Sequence, residues 1–275
     1  VHEPDGIGAA EATERAGQVV TELRRGLTAT GPDPAIELDL DLRPEGKAGP
    51  QVRSLESYRT YYQRWSAGWE SQALLRARPV AGDPVLAARF TEIVDPLRWP
   101  PGGLDPAAVR EIRRLKARME GERLPRGADP RTHLKLGLGG ITDVEWVVQL
   151  HQLQHAHEHE ALRTTGTLPA LDALAELGLV DRADAEVLRH AWLLASRLRD
   201  AGILWRGRVI DSVPSDPRDA EGVSRILGRR PGAGHQLAEE WRRTARRCRR
   251  VVERLFYGQT TGAPSAAGRI WGPAS

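Results

Sequence analysis

The chain has 275 residues, 40% of them hydrophobic, a formal net charge of +3 and a single cysteine, Cys248. That length accommodates two domains with cores of their own; one cysteine allows no intrachain disulfide and agrees with a reducing cytoplasm; and acids interleaved with bases project no broad field for nucleic acid. No apolar run approaches the ~18–20 residues of a membrane-spanning helix, and no apolar signal segment opens the chain.

The first residue is Val1 and methionine occurs only at Met119, so the expectation is a piece of a longer polypeptide or a processed product. Residues 8–27 read as a helix. In residues 36–42, Ile36, Leu38, Leu40 and Leu42 alternate with Glu37, Asp39 and Asp41, which predicts a strand with one apolar face and one face of carboxylates. Carboxylate oxygens suit Mg²⁺, commonly held by one or two protein carboxylates together with nucleotide phosphates. Arg43, Gly46 and Lys47 follow where such phosphates would lie. An edge strand that carries acids against aggregation, followed by an ordinary turn, fits the same residues, and the residues alone leave both readings open.

Residues 54–75 read as an aromatic-rich helical stretch leading to Arg76 and Arg78. Its Tyr58, Tyr61, Tyr62, Trp65 and Trp69 suit a base-stacking surface but fit better as anchors of a helix on its core. Pro96, Pro100, Pro101, Gly102 and Gly103 read as a linker. Beyond it the pattern is helical. Asp105 caps a helix opening on Pro106, and Thr142 with Glu145 has the capping-box spacing. Residues 167–177 end at Gly178, and 184–205 and 235–256 read as amphipathic helices. The last of these carries Leu237, Trp241, Ala245, Cys248, Val252 and Leu255 on one stripe. Residues 259–275 read as a disordered tail.

Lysine occurs only at Lys47, Lys116 and Lys135, and two of these sit in glycine-rich loops. Lys135 precedes Gly139 and Gly140, which stand before a helix whose free amides would attract an anion. Asp143 and Glu145 in the first turn already complement the dipole, so an ordinary capped helix accounts for the segment equally. His151 and His155 have the i, i+4 spacing of a metal-binding pair, with His157 and His159 following. Without an obvious third ligand they read instead as a solvated helix C-terminus. No Gly-x-Ser-x-Gly elbow, Walker A loop or Cys-x-x-Cys pair is present, which excludes serine hydrolases, P-loop enzymes and zinc ribbons.

Leu38-Asp39-Leu40-Asp41-Leu42-Arg43-Pro44-Glu45-Gly46-Lys47-Ala48-Gly49-Pro50, then residues 61–69 and 69–83, then Gly139-Gly140-Ile141-Thr142-Asp143-Val144-Glu145-Trp146 occur in that order. Together they closely resemble the glutamine synthetase adenylyltransferase family, over residues 1–258. The resemblance implies a bifunctional enzyme with tandem nucleotidyltransferase modules. One removes AMP from a tyrosine of glutamine synthetase and the other attaches it from ATP with Mg²⁺, under control of the PII protein. It implies that this chain is the carboxy-terminal, AMP-attaching module, with an α+β, mostly α fold. Residues 1–95 would be the carboxy-terminal part of a nucleotidyltransferase domain, 96–258 a helical bundle and 259–275 the tail.

By the same resemblance Asp39 is the third metal-binding carboxylate, with Asp41 a neighbour that fits less well. Arg43, Lys47 and Lys135 become phosphate contacts, with Arg76 and Arg78 beside them. The Gly-Ser turn and Asp-x-Asp pair that precede this carboxylate in the nucleotidyltransferase fold do not occur in the chain. The expectation is therefore an amino-terminally truncated piece that does not itself transfer AMP. Two alternatives remain: a non-catalytic module that binds glutamine synthetase or PII through the bundle, or part of the related PII uridylyltransferase, although residues 69–83 fit the adenylyltransferase better.

Overall fold

Asp83, Asp105 and Asp216 each cap a helix whose first residue is proline. Asp83 accepts the Leu86 amide, Asp105 those of Ala107 and Ala108, and Asp216 those of Arg218 and Asp219. A carboxylate satisfies amides that the first turn leaves open, while proline at N1 lacks one of the orphan N–H groups and has its φ preset. These helices belong to a computed structural model that describes residues 1–4, 6–28, 36–65 and 68–258. The expected tail, residues 259–275, and the Trp65 side chain lie outside the described residues. The chain divides into two units, Val1–Gly103 with Leu153–Glu158, and Leu104–Gln152 with His159–Ser275.

The first unit carries α1 (Ala9–Leu27), α2 (Leu55–Trp65), α3 (Gly68–Leu74) and α4 (Pro84–Arg98). Tyr62, Leu74 and Val94 form its core, with Tyr58, Tyr61, Phe90 and Leu97 packed against them. The Tyr58 ring stacks on Tyr62 at 6.0 Å and meets Phe90 edge-on at 5.1 Å, arrangements that the ring quadrupoles favour. The tyrosines thus anchor α2 to α4, as their pattern predicts. By contrast α1 buries only Ala12, and Val19 and Leu23 are 65% and 50% exposed.

Two expectations are corrected here. Residues 36–41 adopt no strand, and no named strand occurs among the described residues; Ile36 and Leu42, on the face expected to be buried, are 67% and 81% exposed. A strand needs a neighbour's backbone groups. Here the Asp41 amide instead donates to Asp39 Oδ1 at 2.8 Å, a local bond by which aspartate competes with extended pairing. Pro96 is the second correction: it lies inside α4 rather than in a linker. The helix end is held by Arg98, whose Nε donates to Asp95 Oδ1 at 2.6 Å and whose Nη1 donates to the Ala77 carbonyl at 2.8 Å.

The second unit carries the helices α5 (Pro106–Glu122), α7 (Thr167–Glu176), α8 (Arg182–Arg206), α9 (Pro217–Ile226) and α10 (Leu237–Leu255), and most of α6 (Ile141–His155). Helix α8 packs against α7, α9 and α10. Leu194, Leu198, Val223, Leu237 and Trp241 meet at the centre of that packing. Burying such side chains contributes about 1.5–3 kcal/mol each. Of the α10 stripe, Leu237, Trp241, Ala245, Cys248 and Val252 are buried. His151 is buried too, with Nδ1 2.8 Å from the Val147 carbonyl. The solvated reading is corrected for His151, which enters the core, while His155, His157 and His159 are half-buried.

Candidate functional site

The acidic segment folds into a loop closed by one guanidinium. Arg43 donates through Nε to the Gly49 carbonyl at 3.0 Å, through Nη2 to the Lys47 carbonyl at 3.2 Å, and through Nη1 to the Leu40 carbonyl. Glu45 sits at φ 65°, the left-handed region that costs a side chain with a Cβ. The short helical turn Gly46–Ala48 follows it, and the Glu45 carboxylate pairs with Arg53. Gly49 is obligatory, because a Cβ there would lie 2.1 Å from the Pro44 carbonyl oxygen.

This loop separates its two aspartates chemically. Asp41 has Lys47 Nζ at 3.3 Å and Arg43 Nη1 at 3.9 Å, so its charge is compensated within the loop. Asp39 is exposed, and Oδ1 accepts the Asp41 amide, while no described residue makes a hydrogen bond or ion pair to Oδ2. Lys47 is 84% exposed. Beside the loop, a cavity of about 180 Å³ brings Arg43 and Arg76 together with Leu42, Tyr62, Trp69 and Glu70. Arg78 is exposed two residues further on. Among the described residues, no group of three or more His, Cys, Asp or Glu side chains could hold a metal ion. Asp39 and Asp41, one of them already compensated, do not by themselves fit Mg²⁺, which demands near-octahedral oxygen ligation.

Lys135, Gly139 and Gly140 belong to the second unit. Lys135 is exposed. The amides expected to receive an anion all have acceptors: Gly139 N reaches Asp143 Oδ2 at 2.7 Å, Gly140 N the Gly137 carbonyl at 2.9 Å, Ile141 N the Leu134 carbonyl at 3.0 Å and Thr142 N the Lys135 carbonyl at 3.0 Å. The loop is therefore a self-capped helix entry, which corrects the phosphate reading of Gly139 and Gly140. Gly139 has φ +75°, and a Cβ there would stand 2.1 Å from the Ala245 carbonyl oxygen of α10. These glycines permit close packing.

Asp143 also anchors a buried charge network that sequence reading missed. It pairs with Lys116 and with Arg249 at 3.1 Å; Glu120 accepts from Lys116 at 2.8 Å, from Arg249 at 2.9 Å and from the Tyr257 hydroxyl at 3.0 Å; Glu253 accepts from Arg249 at 3.1 Å. Burial alone would raise the Asp143 pKa, but the Lys116 ammonium, the Arg249 guanidinium and the Gly139 amide together hold it below the usual carboxylate range. The i, i+4 pairs Lys116–Glu120 and Arg249–Glu253 were visible in the sequence. Nothing there joins Glu120 to Arg249 across 129 positions.

Comparison with known proteins fixes the family. Residues 3–93 match the family described as glutamate-ammonia ligase adenylyltransferase. A relative from Streptomyces coelicolor is 57% identical over 94% of this chain and 26% of its own length. Relatives from Cutibacterium acnes (52% identical, 90% of the chain and 25% of the relative) and Mycobacterium marinum (48%, 91% and 25%) carry the same name, bifunctional glutamine synthetase adenylyltransferase/adenylyl-removing enzyme. The chain belongs to the glutamine synthetase adenylyltransferase family. It spans about a quarter of the length of these curated relatives. Residues 110–259, more than half of this adenylyltransferase-family chain, also match the family described as GlnD PII-uridylyltransferase. The gap between the two matches, residues 94–109, brackets the division of the units at Gly103.

Proposed function

We propose that this chain is part of an enzyme that transfers AMP from ATP to a tyrosine of glutamine synthetase, and that it lies in the carboxy-terminal, AMP-attaching module. The observation that supports a part in AMP transfer most directly is 57% identity, over 94% of the chain and 26% of the relative, to a protein named bifunctional glutamine synthetase adenylyltransferase/adenylyl-removing enzyme. In the transfer, the tyrosine oxygen forms a bond to the α-phosphorus as the bond to the leaving pyrophosphate breaks. PII is the proposed regulatory partner and the cytoplasm the proposed location. Residues 1–95 are proposed as the carboxy-terminal part of the nucleotidyltransferase domain and 96–258 as its helical bundle.

Within that reading Asp39 is the carboxylate this chain contributes to a Mg²⁺ site whose other ligands lie elsewhere in the longer protein. Its Oδ2, without a hydrogen bond or ion pair from a described residue, supports the choice of Asp39 over the compensated Asp41. Arg43 orders the loop through three carbonyls and so positions Lys47, an exposed point charge suited to phosphate. Arg76 and Arg78 are proposed as further phosphate contacts, and Lys135 as a separate candidate in the second unit.

The test is labelling of glutamine synthetase with radioactive ATP. Asp39→Asn in the full-length enzyme is expected to abolish most AMP attachment, and near-normal labelling would overturn the role of Asp39. Residues 1–275 alone are expected to transfer none; detectable transfer by the purified chain would show that its own residues complete the site.

A further inference from the structure

The solvent side of α10 is crowded with arginine. Arg243, Arg247 and Arg250 follow one another at helical spacing, so their side chains share a stripe. They border a concavity of about 530 Å³ in the second unit, with Leu138 and Ala245 also in its wall. Four further arginines line it, and each of these has a carboxylate partner: Arg131 has Asp129 at 3.5 Å, Arg242 and Arg246 share Glu239 at 3.7 and 3.3 Å, and Arg249 belongs to the buried network. No described carboxylate pairs with Arg243, Arg247 or Arg250, all three are exposed, and no acid lines the concavity.

Like charges at i, i+4 destabilise a helix. Here Arg243 and Arg247 stand in that relation with nothing to offset them. A guanidinium fork matches phosphate oxygens bidentately and is weakly hydrated, so a row of forks around a hollow is a receptor for condensed negative charge. The volume falls in the range of small-molecule sites. A concave wall favours a compact ligand over an extended acidic surface.

We propose that this concavity binds a compact anion carrying two or more phosphate groups, held by Arg243, Arg247 and Arg250. The site is built entirely from the second unit and does not depend on the Asp39 loop. Leu138, 38% exposed on the wall, gives an apolar contact that a nucleoside would cover and an inorganic polyphosphate would not.

The test is calorimetric titration of the 275-residue chain, in metal-free buffer at low ionic strength, with inorganic tripolyphosphate and separately with ATP. The triple variant Arg243→Gln/Arg247→Gln/Arg250→Gln is expected to weaken both by about tenfold or more. Arg225→Gln, on α9 outside the concavity and paired with Glu221 at 3.1 Å, is expected to change them by less than about threefold. Glutamine keeps helix propensity, and circular dichroism checks folding; should the triple variant fail to fold, Arg247→Gln alone is expected to weaken binding by about threefold. Tighter binding of ATP identifies a nucleotide as the ligand, and tighter binding of tripolyphosphate a free polyphosphate. Absence of binding to the wild-type chain, equal binding by the folded triple variant, or tighter binding of a polyglutamate peptide or an oligonucleotide would overturn the proposal.

Discussion

Asp143→Ala is expected to lower the unfolding free energy of the second unit by about 3–5 kcal/mol, the cost of removing one partner from a buried ion network. Asp143 is 1% exposed and Lys116 2%. Truncation would leave Lys116 and Arg249 sharing Glu120, with Glu253 on Arg249 alone and the Gly139 amide without its acceptor. Chemical denaturation followed by far-ultraviolet circular dichroism measures the effect. An unchanged midpoint would mean that the network contributes nothing beyond what water supplies.

The same group sets a pH dependence whose sign follows from its environment. Lys116 and Arg249 hold the folded pKa of Asp143 below the ordinary carboxylate value despite burial. A group depressed in the fold stabilises it fully above the unfolded pKa of about 3.9 and loses that contribution as pH falls through the folded pKa. Wild-type chain is therefore expected to lose stability more steeply on acidification below about pH 5 than Asp143→Ala does. Parallel curves for the two proteins would remove Asp143 as the source.

Gly139→Ala is the second large effect. The backbone there has φ +75°, and the added methyl would meet the carbonyl oxygen, carbonyl carbon and Cα of Ala245 at 2.1, 2.7 and 2.8 Å. Those atoms belong to the α10 backbone and cannot rotate away as a flexible side chain would. Left-handed strain of about 1–2 kcal/mol and overpacking of about 1–3 kcal/mol give an expected loss of about 2–5 kcal/mol. Lys135→Ala, at an exposed position in the same loop, is expected to stay within about 0.5 kcal/mol. A wild-type unfolding midpoint for Gly139→Ala would show that the loop does not pack α6 against α10.

Helices α5 and α7 were legible because each has both a periodic stripe and a terminal signal, Asp105-Pro106 for α5 and Gly178 at φ +69° after α7, and α10 by its stripe alone, buried from Leu237 to Val252. Helices α4 and α9 were passed over although Asp83-Pro84 and Asp216-Pro217 carry the same start signal as α5. Helix α9 has only ten residues in which to show a stripe, and Pro96 inside the fifteen-residue α4 reads as a break. Residues 36–42 misled for a different reason. Alternation reports which side chains would share a face, not whether a partner strand exists, and the Asp39 carboxylate satisfies a local amide instead. The family was readable from motif order alone. The closure of the loop by Arg43 was not, because guanidinium bonds to carbonyls leave no residue pattern.

Cys248 is fully buried on α10, where desolvation pushes its thiol pKa up, and it is the one cysteine in the sequence. A thiol reagent therefore has a single target, and it can react only in molecules where α10 has opened to uncover that buried position. The rate of modification then reads the opening of the helical unit directly, one event per molecule, without any engineered label. Where opening and reclosing are fast relative to modification, that rate gives the free energy of opening; where modification outpaces reclosing, it gives the opening rate itself.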